Sequence, residues 1–133
     1  MDYTNKRAWL YSRIDAPDDA HDHLKNQEKT LFDYAVQMGM TVAGTSSDLG
    51  NGNDFERPGL GQVTAAARDG RFDVLLVKSL SRLGRDTEPT ADYIRQLHEL
   101  GVGVCSPLEG EIRLDSPLFT SHGAGMKQGG IAW

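Results

Sequence analysis

Short apolar runs alternate along this chain with stretches whose apolar residues recur at helical spacing, and each of those stretches stops at a glycine. "RAWLYSRI", Arg7 to Ile14, is rich in aromatic and β-branched residues and ends at the turn-forming "DAPDD", which predicts a first strand. From Leu24, the residues Leu31, Tyr34, Ala35 and Met38 line one side of a helix that Gly39 ends, and "MTVAG" follows as a short second strand. Pro58 suits a first helical position, with Leu60, Val63 and Ala67 on one face and Gly70 as the stop. The apolar run opening "LLVKSLSRLGRD" is too short for a helix and reads as the third strand. Another helix runs from about Thr87, with Ile94, Leu97 and Leu100 inward and Gly101 as its end, before the strand "VGVCS". Strand and helix in strict alternation with short connections predict an α/β fold of three layers, a central mostly parallel sheet flanked by helices.

Two segments fall outside that alternation. Thr45 to Glu56, "TSSDLGNGNDFE", has the Gly, Asn, Asp and Ser content of a loop, and its length suggests a use. After residue 106 the pattern degrades. Residues 107–133 are expected to form a short irregular tail holding at most a short strand and one turn opened by Ser116 and Pro117, with no DNA-binding domain in it. Residues 1–106 then make one domain, in keeping with a chain of 133 residues.

Arg82 and Arg85 stand just past the carboxyl end of the third strand, where ligands bind in open α/β sheets, and a forked guanidinium suits phosphate oxygens. A formal charge of −5 argues against a surface that grips nucleic acid all over, which leaves a local arginine cluster. Cys105 is the lone cysteine and lies on an apolar strand, so it is expected in the core. With neither a signal sequence nor an apolar run of membrane-spanning length, a cytoplasmic protein is expected.

"YSRID" at Tyr11 to Asp15, "NQ" at Asn26 and Gln27, "DLGNGNDFERPGL" and "VKSLSRLGRD", occurring in that order, resemble the catalytic domain of the resolvase and invertase family of serine recombinases over roughly residues 7 to 106. The resemblance implies a resolvase-like fold acting in site-specific DNA recombination. A serine at the end of the first strand attacks a phosphodiester and becomes joined to a 5′-phosphate, while arginines rather than a metal or cofactor stabilise the transition state. It assigns that electrostatic role to Arg13, Arg57, Arg82 and Arg85, and support of the site to Gln27 and Asp48. Arg68 and Lys78 add charge nearby without an assigned role. The nucleophile's position is held by Asp15, and the acid often found at the start of the "RLGR" motif is Ser81. Ser12 is no substitute, because neighbouring side chains on a strand point to opposite faces.

An aspartate that attacked phosphorus would give an acyl phosphate open to hydrolysis, whereas strand exchange must conserve the phosphodiester's energy. Asp15 lies about 7 Å along the strand from Arg13 and within pairing reach of it, so a structural ion pair in a catalytically degenerate site is expected. The alternatives are a non-catalytic regulatory or partner-binding module and a metal-dependent phosphoacceptor built from Asp15, Asp18, Asp19, Asp48 and Lys78, which the neighbouring arginines disfavour. "HDH", His21 to His23, is expected in a solvated polar loop, and His98, on a helix with Leu97 and Leu100, as a surface or boundary residue. The implied partners are DNA, bound weakly by this chain alone, and a second copy or a full-length recombinase, with no membrane.

Overall fold

The computed structural model describes residues 3–14, 20–49, 57–84 and 86–114. Its first strand, β1 (Arg7–Ile14), shows why the fold has three layers: Ala8 and Leu10 enter one core, Trp9 and Tyr11 the other. Strand β3 (Val74–Leu76) repeats the division, with Val74 and Leu76 on the first side and Leu75 on the second. Strands buried on both faces read as continuous apolar runs for this reason. Helix α1 (Ala20–Gln37) covers the first side with Leu31 and Ala35, and α2 (Pro58–Arg68) and α4 (Thr87–Glu99) cover the second with Leu60, Val63, Ile94 and Leu97. With β2 (Thr41–Leu49), the single helical turn α3 (Leu80–Leu83), β4 (Gly103–Ser106) and β5 (Gly110–Glu111), the chain forms a sheet of order β2-β1-β3-β4-β5. All its neighbours pair in parallel except β4 and β5. The expected three-layer α/β fold is the fold observed.

Several local expectations need correcting. The segment Thr45–Leu49, expected to open a loop, continues β2 in register with β1, Asp48 lying opposite Arg13. The side chains of Ser46 and Asp48 are satisfied by neighbouring elements instead of by water. Helix α1 begins at Ala20 rather than near Leu24, so "HDH" is helical and not loop, and His23 is exposed on it. Leu100, expected inward, is 42% exposed because α4 ends at Glu99 and the chain turns out through Gly101, whose φ is +84°. Past residue 106, β5 joins the sheet and Ile112 is buried in the larger core. Ser116 and Pro117 lie outside the described residues. Among the described residues no helix is long and apolar enough to cross a membrane.

At the amino ends of the strands Arg7 and Asp73 tie β1 to the approach of β3. The Arg7 amide and Nε donate to Asp73 Oδ2 at 2.9 and 3.1 Å, and Nη2 donates to Oδ1 at 3.0 Å. The guanidinium and the backbone amide of Arg7 hold the Asp73 carboxyl below the usual carboxylate range. A folded pKa depressed in this way gives stability that is present above the unfolded value and lost as pH falls through the folded one. Asp73→Asn is therefore expected to lower the melting temperature slightly at neutral pH, with the difference from the parent vanishing in acid below the carboxyl's folded pKa. Paired thermal melts across that range check it, and a constant difference at every pH would rule the carboxylate's charge out as the source.

Candidate active site

A four-residue helical turn has more unmet backbone groups than internal hydrogen bonds, so α3 needs outside partners. It finds them in two buried arginines. Arg13, near the end of β1 and 1% exposed, donates from Nη2 to the Ser81 carbonyl at 2.8 Å and from Nε to the Arg82 carbonyl at 3.0 Å. Arg57, which leads into α2 and is 7% exposed, donates from Nη2 to the Leu83 carbonyl at 2.7 Å. Charged donors to carbonyls form strong hydrogen bonds, which is what makes burying a guanidinium tolerable. Arg82 itself is half-buried and lines a cleft of about 430 Å³ together with Lys78, Ser79, Thr30, Pro107 and Leu108. The cleft opens where the chain leaves β3 and β4, with a cationic wall from Lys78 and Arg82 and an apolar wall from Pro107 and Leu108.

Gln27 and Asp48 hold the elements beneath this turn. From α1, Gln27 accepts from the Arg13 amide through Oε1 at 3.0 Å and donates through Nε2 to the Arg13 carbonyl at 3.3 Å, so its side chain acts as a short extra strand beside β1. Asp48 accepts from the amides of Gly59 and Leu60 at 2.8 and 2.9 Å and from the Tyr11 hydroxyl at 2.8 Å. It thus does for α2 what an N-cap residue does, but from a neighbouring strand, and its charge suits the helix's positive end. Ser46, two residues earlier and on the same face, accepts from Trp9 Nε1 and donates to the Gly59 carbonyl. The seat is so close that a Cβ on residue 59 would run into the Ser47 carbonyl oxygen. The Arg57 guanidinium lies 5.8 Å from the centre of the Tyr11 ring, and burial together with the bond to Asp48 pushes the Tyr11 hydroxyl well above the usual phenol range, so it stays protonated.

Arg13, Arg57, Ser81 and Arg82 therefore meet at one turn, with Gln27 and Asp48 one contact away. The Ser81 side chain is exposed with its Oγ 2.9 Å from Ser79 Oγ, and its carbonyl is what Arg13 holds. Asp15 and Arg85 lie outside the described residues, as do Asp18 and Asp19. Lys78 shares the Arg82 cleft, whereas Arg68 lines a separate groove between α2 and α4 with Tyr93 and Gln96. Ser12 faces another groove, beside Lys25 and Glu28 of α1. Both Asp48 oxygens are engaged by hydrogen-bond donors, which disfavours it as a metal ligand or phosphoacceptor, and among the described residues no three His, Cys, Asp or Glu side chains gather around one point. His98, exposed near the end of α4, has its imidazole pKa lowered mainly by desolvation. Cys105 is core, 1% exposed, with Tyr34 Oη 3.6 Å from its Sγ; burial and that thiol push the Tyr34 hydroxyl up to about 12.

Sequence reasoning passed over Glu109, which accepts from the Leu80 amide at 2.7 Å and follows Pro107 and Leu108 of the cleft wall in the chain. No local spacing marks it; it is one acid in a turn between two short strands.

The model of the resolvase N-terminal domain family matches residues 8–122. Among solved structures, the chain is similar to the N-terminal catalytic domain of TP901-1 integrase, with 25% identity and a TM-score of 0.74 over 92% of this chain and 95% of that one. It is also similar to the C-terminal catalytic domain of ISC1926 TnpA, an IS607-like serine recombinase, with 26% identity and a TM-score of 0.70 over 75% of this chain and 69% of that one. A resolvase family site-specific recombinase from Streptococcus pneumoniae shares the fold at 16% identity, with a TM-score of 0.72 over 93% of this chain and 87% of that one. A family match running from the second residue of β1 to beyond β5, on a sheet and an arginine-braced turn of this kind, makes the chain a member of the resolvase N-terminal domain family and a serine recombinase catalytic domain.

Proposed function

We propose that this domain receives a DNA phosphodiester in the cleft of Arg82 and Lys78 but does not attack it, because Asp15 stands where the family's motif has its serine. The observation carrying this reading is the double brace of Arg13 and Arg57 under the Ser81–Leu83 carbonyls. Buried guanidinium groups of this kind fix a turn from which Arg82 can meet charge as it develops on phosphorus, without the reorganisation that solvent would need. Arg13 and Arg57 act here by holding the turn, Arg82 by facing the phosphate, and Lys78 adds a second point charge on the same wall. Asp15 brings charge of the wrong sign and, as a nucleophile, would yield an acyl phosphate that water cleaves before religation. Such a domain serves recombination as a subunit beside an active relative, contributing phosphate contacts and assembly instead of chemistry.

The test is covalent trapping. The full chain, fused to the DNA-binding domain of an active family member, is offered a nicked suicide duplex carrying that member's site. The Asp15 protein is expected to give no covalent product, and Asp15→Ser to give a 5′-phosphoserine adduct that is lost again when Arg82 is also changed to alanine. Trapping by the unmodified Asp15 protein overturns the assignment. If Asp15→Ser also gives none while the fusion binds its site normally, the arginine arrangement is not competent and the cleft has lost its role.

A further inference from the structure

The amino end of α3 lacks the partner its own sequence should supply. Ser79 occupies the N-cap position, yet its side chain makes no capping hydrogen bond, and its Oγ lies instead beside Ser81 Oγ at 2.9 Å. The Leu80 amide donates to Glu109 Oε1 at 2.7 Å, from a residue 29 positions further along the chain. Glu109 is itself fixed: its amide donates to Ser106 Oγ at 2.8 Å, and that hydroxyl donates back to Oε1 at 3.2 Å, with Ser106 fully buried. The turn between β4 and β5 that carries Glu109 also supplies Pro107 and Leu108, the apolar wall of the Arg82 cleft. One short turn therefore sets both the far wall of the cleft and the near end of the helical turn that bears its arginine.

We propose that Glu109 is a positioning residue of the arginine site, which braces the amino end of α3 from the β4–β5 turn and so fixes Arg82 relative to Leu108; this rests on the assignment of that cleft to DNA phosphate. The braces form a closed set around four residues. A carboxylate takes the N–H end of α3, while Arg13 and Arg57 take its carbonyl end. Each charge sits at the pole of the turn that its sign favours. Loss of the carboxylate frees the amino end, and because α3 has no second turn, Arg82 is then held from the carbonyl side alone and is less sharply directed.

Sign separates this role from that of a bystander. An acid near a phosphate site weakens DNA binding through its charge, so removing it should tighten binding, and equally for any neutral replacement. Glu109→Ala and Glu109→Gln remove the same charge, but only glutamine keeps an oxygen for the Leu80 amide. The experiment uses the full chain and its Glu109→Ala, Glu109→Gln, Ser106→Ala and Arg82→Ala variants. It reads amide exchange at Leu80 by NMR and affinity for a short random DNA duplex at low salt. In Glu109→Ala, Leu80 exchange should rise about tenfold to a hundredfold, the range expected for losing a charge-assisted hydrogen bond, while exchange at the core residues Leu31 and Ile94 changes little. Glutamine should restore most of the protection and bind DNA more tightly than alanine does. If Glu109→Ala does not fold, Ser106→Ala applies the same comparison more mildly, since it leaves the carboxylate but removes the hydroxyl that holds it. Unchanged Leu80 exchange in Glu109→Ala, or equal DNA affinity for the alanine and glutamine variants, overturns the proposal. If Arg82→Ala leaves DNA affinity untouched while Leu80 exchange still responds to Glu109, the brace stands and the assignment of the cleft to phosphate falls.

Discussion

Asp48→Ala is expected to destabilise the domain by about 3–5 kcal/mol, since each buried donor left unsatisfied costs about 1–3 kcal/mol. Three donors lose their acceptor at once: the amides of Gly59 and Leu60 and the Tyr11 hydroxyl. The amides stand at the start of α2 where no residue of that helix can replace the carboxylate, since Arg57 at its N-cap position makes no side-chain cap. Tyr11→Phe removes one of the three bonds without stranding a backbone group and should cost only about 1 kcal/mol. Asp48→Asn, which keeps one acceptor oxygen but turns an NH₂ toward an amide, should fall between. Urea unfolding of the three variants checks the order. Equal losses for Asp48→Ala and Tyr11→Phe would mean that the helix start carries none of the effect.

Arg13→Ala should cost a comparable amount, about 3–5 kcal/mol, by leaving the Ser81 and Arg82 carbonyls without their donor and opening space for a large buried side chain. Arg13→Lys is expected to recover little, because an ammonium is a point charge and the two carbonyls are matched to Nε and Nη2 of one planar fork. Arg82→Ala is the informative contrast. Its side chain is half-buried on the cleft wall, so its removal should shift stability by no more than about 0.5 kcal/mol while weakening DNA binding if the proposed phosphate site is right. Denaturation midpoints combined with salt-dependent DNA titration separate the two arginines. A stability loss for Arg82→Ala as large as that for Arg13→Ala would mean that Arg82 is a structural residue as well.

Much of this arrangement is legible in the sequence where periodicity and punctuation act alone. β1 ends at Ile14 and α2 begins at Pro58, as apolar pattern and proline placement require. The second half of β2 is not legible that way. "TSSDL" has the composition of a loop because its inward residues, Ser46 and Asp48, serve the start of α2 and the side chains of Trp9 and Tyr11, partners that only the tertiary structure brings near. The turn α3 is hidden for a related reason. Four residues have no period to detect, and the charges that stabilise it come from Arg13, Arg57 and Glu109, far away in the chain. The arginines were conspicuous as motif residues, but the division between those under the turn and the one in the cleft is set by burial.

The strand order carries a consequence of its own. The connection leaving β1 packs on one face of the sheet through α1 and leads to β2, whereas the connection returning to β3 packs on the opposite face through α2. β1 and β3 are therefore neighbours whose chains depart in opposite directions, and between their carboxyl ends the sheet must open a crevice whatever residues line it. β3 stops at Leu76 while β1 runs on to Ile14, which deepens that opening and leaves the space that α3 fills. Such a crevice is a property of the winding of the chain, not of its chemistry. Exchange of one side chain at the end of β1 leaves that winding in place, so the opening and the helical turn seated in it belong to the topology and outlast changes in the residues around them.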